Sequence, residues 1–243
     1  MTKKHKYLWR YGGLCIAFIM GMILLPIWGI PIMPAEAKVT FKPPKSPAPQ
    51  RSAGGASRGN SCEFEANALT IKSLMPQTNV GYTIAERPAV FIYMPKSNAK
   101  QALFSIQDEE NKEHYQKIMT LPGDKNGVIK VQIPNDAPGL KAGKTYKWSL
   151  VMMCLDELEP DSPSVTGWIN RVDVDKSFAN YKSVGDSLQL VSKLAEHGIW
   201  YDTLSSLAEL RRSQPNNQNI TSEWQDLLSS VGLQDIAREP IVN

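Results

Sequence analysis

The chain has 243 residues, 27 of them basic and 24 acidic, and 42% hydrophobic. The first 37 residues hold four of the basic residues and one of the acidic, so the remaining 206 carry 23 of each. That neutral remainder excludes a broad cationic face of the kind that neutralises nucleic-acid phosphates, and it is long enough to bury a core.

Taken in chain order, Lys3, Lys4, Lys6 and Arg10 come first, then an apolar run from Leu14 to Ile32, then Ala35-Glu36-Ala37. A basic start, an apolar stretch and small residues two apart are the parts of an export signal, so residues 1–37 are expected to be a signal peptide. The run is also long enough to cross a bilayer, which leaves a retained N-terminal anchor as the alternative. Pro26, Pro31 and Pro34 near its end favour cleavage. Cys15 sits inside the run, unlike a lipid-bearing cysteine, which follows it. No later stretch is apolar and long enough to span, so no transmembrane span is expected in the mature chain.

Residues 38–60 contain Pro43, Pro44, Pro47 and Pro49, three glycines, five basic residues and no acidic one. Val39 and Phe41 are their only large apolar side chains. Such a composition cannot repay the entropy of ordering, so this segment is expected to be a disordered basic tether.

Residues 61–176 read as strands. Ala89–Met94, Leu103–Ile106, His114–Leu121, Val128–Ile133, Thr145–Cys154 and Val165–Val172 are β-rich runs between turn residues, and Leu69–Leu74 is a weaker one. In the best of them Tyr146, Trp148, Leu150 and Met152 fall on one face, and Lys147 and Ser149 on the other. Period-two runs at short spacing predict an Ig-like antiparallel β-sandwich.

Over residues 177–243 the period becomes helical. Leu188, Leu190, Val191, Leu194 and Ala195 make one apolar face, with Asp186 or Ser187 as cap and Gly198 as stop. Leu204, Leu207, Ala208 and Leu210 make a second helix, from Trp200 to Arg212. Its last residues, Arg211 and Arg212, suit a helix C-terminus. Thr221 or Ser222 is expected to cap a third helix holding Trp224, Leu227, Leu228 and Val231. The fold class is therefore α+β, a sandwich followed by a small helical module.

Cys62 and Cys154 are the two cysteines left after the leader, and in an oxidising compartment a structural disulfide is the default. Two buried thiols are the alternative. Catalytic motifs are lacking. His114 and His197 are the only histidines after the leader, and no Gly-x-Ser-x-Gly, His-Glu-x-x-His or phosphate-gripping glycine loop occurs. Asp156, Glu157, Glu159 and Asp161 form an acidic loop without an EF-hand pattern. No catalytic residue, cofactor or metal ligand is assigned. An Asp/Glu hydrolase would need Asp156 or Glu159 to converge with Glu86 across a cleft. Trp168, Trp200, Tyr201 and Trp224 are candidates either for a binding groove or for interdomain packing.

Several blocks in fixed order resemble a known family. They are Arg58–Cys62, Thr83–Tyr93, Gly143–Ser149, Gly167–Val172, Ala195–Arg211 and Trp224–Leu233. Together they resemble the cyanobacterial family called domain of unknown function 928, over the span from Arg58 to the end. The resemblance implies an exported cyanobacterial protein, and carries no catalytic residue across. The expectation is a non-catalytic envelope protein, in the periplasm or cell envelope, with the thylakoid lumen or extracellular release as alternatives. Its expected partner is another envelope protein, polysaccharide is the second choice, and nucleic acid is excluded.

Overall fold

A computed structural model describes residues 38–44, 62–64, 68–122, 125–154, 158–173 and 187–242. The expected signal peptide at 1–37 and most of the expected tether lie outside the described residues. Those described all belong to one compact unit spanning 36–243.

Eight strands come first: β1 (Lys72–Ser73), β2 (Val80–Thr83), β3 (Ala89–Met94), β4 (Gln101–Asp108), β5 (Glu113–Thr120), β6 (Gly127–Gln132), β7 (Lys144–Met153) and β8 (Ser164–Arg171). Helices α1 (Leu188–Glu196), α2 (Trp200–Ser213) and α3 (Gln218–Ser230) follow, and a last short strand, β9 (Ile241–Val242), ends the order. One sheet runs β1-β3-β6-β9 and the other β2-β8-β7-β4-β5. Their inner faces enclose the core. On β7 Tyr146, Trp148, Leu150 and Met152 are buried, and all six residues of β3 are buried, because helices cover its other face.

The pairing is antiparallel except at two edges, where β2 runs parallel to β8 and β9 runs parallel to β6. The early chain thus divides between the sheets. β1 joins β3, then a turn at Pro76–Asn79 carries the chain across to β8. Asn79, at φ 56°, adopts the left-handed conformation that asparagine tolerates. The Ig-like character is completed at the start of β7. There the Lys141 N–H donates to the Tyr146 hydroxyl at 3.0 Å, a tyrosine corner.

Helix ends follow local chemistry. The Ser187 hydroxyl accepts from the Leu190 N–H at 3.3 Å and caps α1. After α1, Gly198 takes φ 73°, and the N–H groups of Gly198 and Ile199 return to the carbonyls of Ala195 and Leu194. This is a Schellman motif, and Ile199 and Leu194 share an apolar cluster that completes it. Gly232 and Leu233 close α3 in the same way, through Ser229 and Leu228. The start of α3 departs from the expected Thr221 or Ser222 cap. Asn217 caps instead, accepting from the N–H groups of Asn219 and Ile220, so the helix begins a turn earlier and buries Ile220. The Thr221 hydroxyl is spent on the Asn217 carbonyl.

The helices close the sandwich at its β1/β2 edge. Trp200 and Tyr201, in the first turn of α2, are both buried. The Trp200 indole donates to the Leu74 carbonyl at 2.9 Å. The Trp148 indole donates to the Tyr201 hydroxyl at 2.8 Å, which donates in turn to the Trp168 carbonyl at 2.9 Å. Two glycines make this approach sterically feasible. A Cβ on Gly81 would lie 2.6 Å from Tyr201 Cε2, and one on Gly167 would lie 2.6 Å from Trp148. Strand and helix residues accordingly share one core.

The expected tether is corrected at its start. Residues 38–44 form a strap across the helices. The Val39 N–H donates to Glu223 Oε2 at 2.7 Å, Lys42 N–H donates to the Ala195 carbonyl at 2.9 Å, and the Ser192 hydroxyl donates to the Lys38 carbonyl at 2.9 Å. Val39 is buried, and the Phe41 ring meets Trp200 edge-on at 4.8 Å. The two apolar residues of an otherwise polar segment are its anchors, and their burial offsets part of the entropy that composition alone cannot repay.

Candidate functional site

Cys62 and Cys154 are disulfide-bonded, with Cα atoms 5.1 Å apart and a sequence separation of 92. The bond ties the segment before β1 to the end of β7. It is a structural staple and leaves neither Cys62 nor Cys154 a free thiol.

The histidines are engaged with main-chain carbonyls. His114, on β5, places Nε2 3.0 Å from the Pro138 carbonyl and its ring 5.0 Å from that of Tyr146. His197 caps α1, with Nδ1 2.8 Å from the Lys193 carbonyl. In both of these hydrogen bonds the partner is a main-chain carbonyl and not a serine or cysteine nucleophile.

Of the carboxylate pairs a hydrolase would need, the one that lies within the described residues, Glu86 with Glu159, does not form. Glu86 Oε1 lies 3.6 Å from Arg171 Nη2, at the end of β8. Glu159 lies before the start of that eight-residue strand, in a turn closed by Ser162. Strand rise alone separates the two by about 25 Å. Asp156 and Glu157 lie outside the described residues. Among the described residues no three of His, Cys, Asp and Glu are grouped to hold a metal.

Among the described residues Asp202 is a buried carboxyl. It accepts from the Thr83 hydroxyl at 2.7 Å and the Ile84 N–H at 3.2 Å. Burial outweighs these bonds and pushes its pKa up to about 6. The Thr83 hydroxyl beside it is fully buried and itself accepts from the Ala85 N–H, so these bonds lock β2 to α2, which is a structural task.

The four candidate aromatics divide between packing and partial exposure. Trp200, Tyr201 and Trp224 are at most 1% exposed and touch no open groove, so the binding half of that expectation is corrected for them. Trp168 is half-buried on β8, and its carbonyl holds Tyr201. The core claimed Trp200, Tyr201 and Trp224 because each falls on the buried face of its helix.

An opening does exist where sequence signalled none. A cleft of about 310 Å³ lies between the last turns of α2 and the β6–β9 edge. Phe91, Pro215, Pro240 and Ile241 give it apolar walls, and Lys130, Arg211 and Arg212 bring cations. Arg212 is spent on Glu209 in the same helix, with Nε 3.1 Å from Oε2. That bond, with Lys130 nearby, holds the Glu209 carboxyl below its ordinary range. Arg211 has no acid. Its guanidinium lies over the Trp224 ring, 5.5 Å from the centroid, and its Nη1 is enclosed without a hydrogen-bond partner. Burial lowers its pKa. Trp224 Nε1 is likewise enclosed and unpartnered. Sequence marked Arg211 as a helix-end cation. Lys130 carried no signal, since an outward lysine on an alternating strand is ordinary.

A family model described as Domain of Unknown Function (DUF928) matches residues 53–241, and the chain belongs to that family. No curated protein matches. Among solved structures, the CARDB domain of a Pyrococcus furiosus protein in complex with di-metal ions is similar at 12% identity, over 43% of this chain and 91% of that one, with a TM-score of 0.25. No helix among the described residues is long and apolar enough to cross a membrane.

Proposed function

We propose that this family member is exported to the cell envelope and acts there without catalysis, by binding another envelope protein at the cleft between α2 and the β6–β9 edge. One observation carries this reading. The Arg211 guanidinium lies over Trp224 with an Nη1 that is enclosed and has no hydrogen-bond partner among the described residues, in the wall of a cleft with apolar sides. An unmet buried donor costs stability, and that cost is retained most readily where a partner relieves it.

Other observations lend support. Export suits the residue pattern at 1–37 and the disulfide. Both histidines and Glu86 are committed to carbonyls or arginines, which argues against a hydrolase. A polysaccharide module would want two exposed coplanar rings, and three of the four candidate aromatics are enclosed.

The test is site-specific photocrosslinking in native cells. A photoreactive side chain at Lys130 is compared with one at Ile118, which is exposed on β5, in the other sheet. One dominant adduct from position 130, absent from position 118, supports the proposal. Equal adducts from both positions, or none at good crosslinking efficiency, overturn it.

A further inference from the structure

The cleft's residues also specify what it takes. We infer that it receives a carboxylate-bearing apolar segment of a partner polypeptide, an acidic side chain flanked by aliphatic ones. This deepens the proposed function and rests on that reading.

Charge is the first ground. Three cations border the cleft, and Glu209 is the only carboxylate among its lining residues. Arg212 is bonded to Glu209, which leaves Arg211 and Lys130 without an ion-pair partner among the described residues, although residues 38–243 carry no net charge. Geometry is the second. A guanidinium held against an indole is a planar fork with fixed orientation, the shape that matches a carboxylate through two parallel bonds. Nη1 itself is enclosed, so a carboxylate meets this fork by drawing Arg211 outward from Trp224, which gives that donor the partner it lacks among the described residues. The walls are the third. Phe91, Pro240 and Ile241 give the anion an apolar surround, where charge-assisted bonds are less screened than at an open surface. Size is the fourth. About 310 Å³ accommodates one to a few side chains, not a folded domain.

The test uses the exported chain labelled with nitrogen-15, with the Trp224 indole resonance as reporter. The probes are acetyl-Leu-Glu-Leu-amide, its Gln counterpart acetyl-Leu-Gln-Leu-amide, and free hexanoate. The Glu peptide is expected to move the Trp224 signal with an affinity about tenfold above the Gln peptide, an advantage that shrinks at high salt. Lys130→Ala, at an exposed position that does not endanger folding, is expected to weaken the Glu peptide about threefold and leave the Gln peptide unchanged. Arg211→Gln, with its fold checked by circular dichroism, should abolish the discrimination. Equal affinity for the two peptides overturns the inference. So does hexanoate binding without either peptide, which would make this a small-acid site. If position 130 crosslinks a protein yet the peptides are not discriminated, the inference falls and the proposed function stands. If the Glu peptide is preferred through Arg211 but crosslinking fails, the chemistry stands and the proposed function falls.

Discussion

Replacing Tyr201 with phenylalanine removes one oxygen from the junction of α2 with the sandwich and leaves the ring in place. That oxygen accepts from the Trp148 indole and donates to the Trp168 carbonyl. Burial raises the pKa of its phenol, so the hydroxyl keeps its proton and its donor role across the working pH range. Trp148 is fully buried, and among the described residues its indole nitrogen bonds only to Tyr201, so the variant strands that N–H. An orphaned buried polar group costs about 1–3 kcal/mol, and the carbonyl adds less because its second lone pair gives it other options. The expected loss is about 2–4 kcal/mol, a large share of the 5–15 kcal/mol typical of a domain. Urea unfolding followed by circular dichroism reads it as a lower midpoint at unchanged slope. The Trp148→Phe and Tyr201→Phe cycle should show coupling of about 1 kcal/mol or more. A Tyr201→Phe loss below about 0.5 kcal/mol would refute the reasoning, because the rings would then act by volume alone.

Three further outcomes are expected. Asp202 has a folded pKa of about 6 against an ordinary 3.8, so its contribution is fully present below pH 3.8 and is lost as pH rises through about 6. The swing is at most about 3 kcal/mol, and unfolding curves between pH 3.5 and 7 should flatten by that amount in Asp202→Asn; an unchanged slope would assign the effect elsewhere. Breaking the Cys62–Cys154 bond, by Cys154→Ser paired with Cys62→Ser, should cost roughly 4–5 kcal/mol on chain entropy for a loop closed over 92 residues, read by denaturant midpoint. Removing residues 38–44 should cost about 2–4 kcal/mol, because Val39 leaves its pocket and the Glu223 carboxylate loses the Val39 N–H. An equal midpoint with and without the strap would restore the tether expected from composition.

Much of the fold was legible because its long strands alternate strictly. Tyr146 to Met152 announce an inner face in the sequence, and that face is buried. The cap at Ser187 and the stop at Gly198 were equally local, and the structure has both. Strands β2 and β9 were not legible. Each pairs in parallel with a strand far away, through four residues and two residues, too few to display a period. The strap was hidden by its own prolines and lysines, since composition measures the cost of ordering and not the pocket that repays it. The cleft was invisible for a related reason. Lys130 and Arg211 are ordinary surface cations on their own elements, and only the packing of α2 beside the β6 edge makes them neighbours. The unmet state of Arg211 is a property of three-dimensional enclosure, which no spacing rule encodes.

The strap and the α2 aromatics together determine when the protein can finish folding. The Val39 N–H reaches a carboxylate 184 positions later, and the Trp148 indole waits for a hydroxyl 53 positions later. A chain emerging from a ribosome or a translocation channel therefore cannot complete its sandwich from the strands alone. The early segment has to stay available until α3 appears, and then both ends engage in one closing event. Products truncated before Glu223 would keep the strap's bonds to Ser192 and Ala195 but lose the Val39 bond and the α3 cover, and would be more open to proteases than full-length molecules.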